Sequence, residues 1–139
     1  MTRTPEQIEQ FFASVLAVPA HSAFGLELVR WAPGEAVLAF TAAGAALGPR
    51  GETHGGVVSL LLEPAAMFAA VSRLPADQYA VTIDIHVQHL RAIRPGARVE
   101  LTGRLVRLAR QFAFCEATAM DEDRLCASAR VTKAVVAAG

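Results

Sequence analysis

Apolar and polar positions along the chain change period several times, and each change marks an element. Ile8, Phe11, Phe12, Val15 and Leu16 recur at helical spacing and predict a short amphipathic helix. Thr4 stands as its N-cap, Pro5 as its first helical residue and Gln7 three residues after the cap, and Pro19 is expected to end it. The polar face of that helix lacks the basic residues that membrane attachment needs, so packing against the main body is its expected role. Phe24 to Trp31 and Glu35 to Thr41 then read as strands joined at Pro33-Gly34, and Ala42 to Gly51 as a loop. From Gly55 to Leu74 apolar residues cover every side, as expected of a helix buried all round. Four further strands are predicted at about Tyr79 to Leu90, Ala97 to Leu108, Phe112 to Met120 and Leu125 to Val136. In the first of these, strict alternation puts Val81, Ile83, Ile85 and Val87 on one face and Thr82, Asp84, His86 and Gln88 on the other. Pro95-Gly96, Ala109-Arg110 and Asp121-Glu122-Asp123 are the turns between them. The order predicts an α+β fold, a meandering antiparallel sheet wrapped around one central helix. Residues 1–139 are expected to form one domain, with a helical segment at 1–23 and the core at 24–139.

Composition narrows the function classes. With 53% hydrophobic residues in 139, a chain of this length can bury a core without disulfides or structural metal. Thirteen basic side chains balance thirteen acidic ones, which argues against a nucleic-acid partner. Nearly all the positive charge is arginine, Lys133 being the only lysine, and roughly a fifth of the chain is alanine, a bias read as genomic rather than chemical. Cys115 and Cys126 match no metal-ligand or CxxC spacing and read as buried free thiols in a reducing compartment. The apolar stretch Phe11 to Ala20 is too short to span a bilayer, and Glu6 and Glu9 precede it where a signal peptide carries positive charge, so a cytoplasmic location is expected.

Candidate chemistry sits at the central helix. Between Glu52 and Arg73 the only side chain charged at neutral pH is Glu63, with His54 the only other titratable group. A carboxylate on an apolar helix is costly to bury unless paired, and burial moves its pKa toward the range useful to a general base. Just before the helix, Thr53-His54-Gly55-Gly56 places two glycines at a helix N-terminus, whose free amides point at developing negative charge, as an oxyanion hole requires.

Thr53-His54-Gly55-Gly56-Val57-Val58, with Glu63 nine residues past the histidine, resembles the hotdog-fold thioesterases. Within them it is most similar to the 4-hydroxybenzoyl-CoA and phenylacetyl-CoA thioesterase branch. A second stretch, Val81 to Ala92 followed by Pro95-Gly96, resembles that family's strand after the helix and its exit turn, and the likeness covers about Phe24 to Val136. The resemblance implies an acyl-CoA thioesterase that needs no metal or organic cofactor. Glu63 would be nucleophile or general base, the Gly55 amide would polarise the thioester carbonyl, His54 would shape the loop, and Thr82 would position water. Gly56, Met67, Arg91 and Arg94 would contact substrate, the two arginines at the coenzyme A phosphates, for which Arg98, Arg104, Arg107 and Lys133 are further candidates. Leu62 and Phe68 join Met67 as candidate lining of an acyl pocket. Two positions depart from the family. Gly48, six residues before the histidine, stands where relatives carry Asn or Gln to orient substrate or water, and Pro64 follows the acid directly. A proline there predicts a kink or a broken turn that frees the Leu60 carbonyl and tilts Glu63.

Eight residues separate Gly55 from Glu63, about 12 Å along a helix, too far for both to touch one carbonyl group. A second copy must then supply one of them, which implies a homodimer or a dimer of dimers. His86 and His89 lie three apart on a strand, on opposite faces, and cannot chelate one metal together. Ser59 has no GxSxG elbow, the Asp and His pairing of hotdog hydratases is missing, and no phosphate-binding glycine loop is present. The competing class is a noncatalytic binder of acyl-CoA or another apolar ligand, favoured by Gly48 and by a Glu63 that is salt-bridged and sealed.

Overall fold

The computed structural model describes residues 1–139. Helix α1 runs from Pro5 to Leu16, and its capping box forms: Thr4 Oγ1 accepts from the Gln7 amide and the Gln7 side chain accepts from the Thr4 amide. Ile8 and Phe12 are its buried residues. The Phe12 ring stacks on Phe68 with centroids 3.9 Å apart, which ties α1 to the central helix. Pro19 does more than stop α1. It opens a second short helix, α2 (Pro19–Ser22), because proline's fixed φ suits the first helical position.

The strands are β1 (Glu27–Ala32), β2 (Glu35–Thr41), β3 (Gln78–His89), β4 (Arg98–Leu108), β5 (Phe112–Asp121) and β6 (Arg124–Ala137). They form one antiparallel sheet in the order β1-β2-β4-β5-β6-β3. A single 3₁₀ turn, Gly44–Ala46, interrupts the loop after β2. Helix α3 (Gly55–Val71) lies across the sheet and touches β2 through β6, the architecture that the hotdog resemblance implies. Gly103 on β4 makes that approach possible: a Cβ there would overlap the Ala65 carbonyl and come within 2.7 Å of the Ala66 amide nitrogen.

One expectation about local shape holds in part and another fails. Helix α3 continues unbroken through Pro64, with no broken turn. The proline removes only the bond to the Leu60 carbonyl, and Leu60 sits at the one open edge of the helix, where water can serve that carbonyl. The strict alternation expected along β3 also fails. The register with β6 shifts between Thr82 and Asp84, so one extra residue is inserted and the faces exchange. Thr82 and His89, seven residues apart, therefore both reach α3, Thr82 at Glu63 and His89 at Ser59.

Candidate active site

The approach to α3 is pinned from two sides. The Thr53 amide donates to the Ile93 carbonyl at 3.2 Å and the His54 amide to the Ala46 carbonyl at 2.7 Å. His54 then acts as N-cap, its Nδ1 accepting from the Gly56 amide at 2.9 Å. With Nδ1 as acceptor, the ring proton of the neutral imidazole is assigned to Nε2. Val57 and Val58 both donate to the His54 carbonyl, which leaves Gly55 as the amide of this first turn without an acceptor in the protein. Gly55 borders a cleft of about 270 Å³ between α3 and the loop after β3, lined also by Thr53, Val58, His89, Arg91 and Ile93 among others. Thr53 Oγ1 is buried in the wall of this cleft with no partner. Gly48 closes a tight turn, its amide donating to the Glu52 carbonyl at 2.6 Å, and a side chain there would start 3.6 Å from the His54 Cα.

At the middle of α3 the carboxylate is neither sealed nor alone. Glu63 Oε1 accepts from Thr82 Oγ1 at 2.7 Å and from the ammonium of Lys133 on β6. The Lys133 ammonium also donates to Thr82 Oγ1 at 2.8 Å. Lys133 is fully buried, 0% exposed, while the Glu63 side chain keeps 24% of its surface open. Glu63 Oε2 has no partner. Of the two features expected of a binder, the salt bridge is present and the seal is not. Cys115 on β5 lies beneath the pair, and burial pushes its thiol up to about 11.

The cationic candidates separate. Lys133 lies beneath the helix and cannot reach a phosphate at the rim, a correction that follows from its place on the helix-facing side of β6 between Val131 and Val135. Arg91 lines the cleft and donates to the Leu125 carbonyl at 2.9 Å. Arg94 grips Asp121 through two side-chain bonds of 2.9 and 3.0 Å, in a separate recess with Pro95 and Gly96. Those bonds hold the Asp121 carboxyl below the usual carboxylate range and raise the Arg94 guanidinium further. Arg98 pairs with Glu27. Leu62 and Phe68, expected at an acyl pocket, are fully buried in the core, where Phe12 fills the space beside Phe68; Met67, one turn past Glu63, is buried with them.

Gly55, His54, Gly56 and Arg91 thus gather at one end of α3, and Glu63 with Thr82 two turns away. Sequence reasoning missed one residue and gave another the wrong role. His89, set aside as half of a metal pair, has Nε2 3.3 Å from Ser59 Oγ and sits where a Gly55 Cβ would touch it. Lys133, expected at the coenzyme A phosphates, instead pairs with Glu63, a place its position as a lone lysine in an alternating apolar strand could have signalled.

The family model described as "Thioesterase superfamily" matches residues 51–128. Among solved structures, a thioesterase from Haemophilus influenzae is 25% identical with a TM-score of 0.85, covering 99% of this chain and 93% of that one. The phenylacetic acid degradation protein PaaI from Thermus thermophilus, in a single-residue variant, is 32% identical with a TM-score of 0.77, covering 84% and 97%. A thioesterase family protein from Silicibacter pomeroyi shares the fold at 23% identity and a TM-score of 0.87, covering 94% and 99%. No protein of curated function matches the chain in sequence.

Proposed function

The chain belongs to the thioesterase superfamily, and from that premise we propose that it hydrolyses an acyl-CoA or aryl-CoA thioester to a carboxylic acid and free coenzyme A. The observation that carries this reading is the unpaired amide of Gly55, a residue that opens α3 and lines an open cleft. There it would donate to the thioester oxygen as negative charge develops, while His54 holds the turn and Gly56 keeps the backbone close. Glu63 presents Oε2. That oxygen either takes a proton from the attacking water or attacks the carbonyl itself, expelling the coenzyme A thiolate and leaving an anhydride that water cleaves. Thr82 fixes the carboxylate, Arg91 meets the coenzyme A portion, and Arg94 faces it from the next recess. Met67 backs the acyl side and Gly48 holds the tight turn that leads to His54.

The site would be completed by a second copy, because Glu63 is about 12 Å along the helix from Gly55. Edge strand β3 is suited to that contact: Val81, Ile83 and Ile85 are exposed on it, Ile83 by 56%, and Leu60 of α3 is 37% exposed. Cys115 and Cys126 as free thiols suit a reducing compartment, which agrees with a cytoplasmic protein.

A second reading is favoured by the Glu63–Lys133 pair together with Gly48: the same dimer holding a coenzyme A ester without cleaving it. Thiol release from a panel of aryl-CoA and alkyl-CoA thioesters decides between them. Turnover that is lost in Glu63→Gln supports the hydrolase. Absent turnover with the esters still bound supports the binder.

A further inference from the structure

We infer that Lys133 is the positioning residue of the Glu63 carboxylate: it pins Oε1 from below and so selects Oε2 as the reacting oxygen. The inference deepens the thioesterase reading and rests on it. Its ground is the three-way contact of Lys133, Thr82 and Glu63, which brings together β6, β3 and α3. The Lys133 ammonium is a donor only, so Thr82 Oγ1 must accept from it. The single Thr82 proton is thereby turned toward Glu63 Oε1. One carboxylate oxygen receives both donors and the other none, which fixes the plane of the carboxylate and the direction of its free lone pairs. Without Lys133 the Thr82 hydroxyl can rotate and the Glu63 carboxylate loses its second anchor.

Stability alone does not account for this lysine. It occupies a helix-facing position in a row with Ala129 and Val131, and Ala113 is its neighbour on β5. A buried ion pair replaced whole by apolar residues of similar volume is commonly matched or bettered in stability, and removing one partner is costly only where the other is left buried without water. Lys133→Met fills the same space, and Glu63, partly exposed and still bonded to Thr82, can take up water in exchange. A residue kept for the fold and one kept for the carboxylate therefore give opposite results on replacement.

The experiment is a cycle of wild type, Lys133→Met, Glu63→Gln and the double variant, each assayed for thiol release and thermal unfolding. Lys133→Met is expected to stay folded, with an unfolding temperature close to wild type, because water can reach the Glu63 carboxylate it leaves. Its kcat should fall about tenfold to a hundredfold, the scale on which misplacing a reacting group acts, with KM little changed. In the Glu63→Gln background the same replacement should cost nothing further, because Lys133 acts only through Glu63. Lys133→Gln, which keeps an N–H donor, should fall between wild type and Met. Full turnover in Lys133→Met overturns the inference, as does a loss that multiplies with that of Glu63→Gln. A Met variant that unfolds assigns the lysine to the fold and also overturns it. Wild type without turnover fails the thioesterase reading itself, and a Glu63-dependent wild type with an indifferent Lys133 fails the positioning role alone.

Discussion

Glu63→Ala, the obvious deletion of the proposed reacting group, should be a poor catalytic control because of what it leaves behind. It removes the only carboxylate facing a lysine with no exposed surface, so the Lys133 ammonium keeps one hydroxyl partner and no counter-charge. Breaking a buried pair by removing one partner costs about 3–5 kcal/mol. The lower end applies here, since the opening beside Glu63 lets water toward the void. For a chain of 139 residues, unfolding entropy of roughly 2.1 cal/mol/K per residue converts 1 kcal/mol into about 3 °C, so a fall of roughly 10 °C is expected. Glu63→Gln retains a carbonyl oxygen that accepts from Lys133 and Thr82 and should lose much less. Adding Lys133→Met to Glu63→Ala should recover most of the loss, because both polar partners are then gone. Thermal unfolding followed by circular dichroism reads all three. If Glu63→Ala melts within about 2 °C of Glu63→Gln, the ion pair does not hold the lysine and the reasoning fails.

Gly55→Pro should remove the oxyanion donor while sparing the fold: Gly55 opens α3, where proline is tolerated, and His54 has the extended backbone (φ −62°, ψ 128°) that a following proline requires. Its kcat is expected to fall about 10²-fold or more with an unchanged circular dichroism spectrum, whereas undiminished turnover would remove Gly55 from the chemistry. Gly103→Ala should destabilise by about 1–3 kcal/mol or more, since the methyl group meets helix backbone and not a side chain that can turn aside. A denaturant midpoint equal to that of wild type would show that α3 is not seated as described. Asp121 has a lowered folded pKa, so its stabilising contribution is present above the usual carboxylate pKa and is lost as pH falls through the lowered value. Asp121→Asn should accordingly be less stable than wild type at pH 7, with the gap closing as pH falls below the ordinary carboxylate range and through the lowered Asp121 pKa; a gap independent of pH would contradict the Arg94 pairing.

Most of the fold was legible because its signals are local. Thr4, Pro5 and Gln7 announce the start of α1, β2 lies where Glu35 to Thr41 placed it, and β3 to β6 begin and end within a residue or two of expectation. The Gly55 turn and the carboxylate of Glu63 were equally visible, since each stands out against its own neighbours. What stayed hidden depends on partners distant in sequence. Alternation along β3 cannot show the extra residue near Ile83, because that residue is set by pairing with β6. Lys133 meets Glu63 across seventy residues, and its row on β6 becomes buried only once α3 lies over the sheet. Pro64 misled only about the broken turn: it removes the bond to the Leu60 carbonyl as expected, but packing against Gly103 and the sheet holds α3 together through it.

A hydrolytic site made of Gly55 from one subunit and Glu63 from the other should reappear when two inactive proteins are mixed. Glu63→Gln and Gly55→Pro subunits, refolded together in equal amounts, give half of the dimers as hybrids. Each hybrid carries one site with both native residues and one with neither. Thiol release should return to about a quarter of the wild-type rate per subunit. A mixture as inactive as its two components would mean that the residues do not meet across an interface, and would contradict the account.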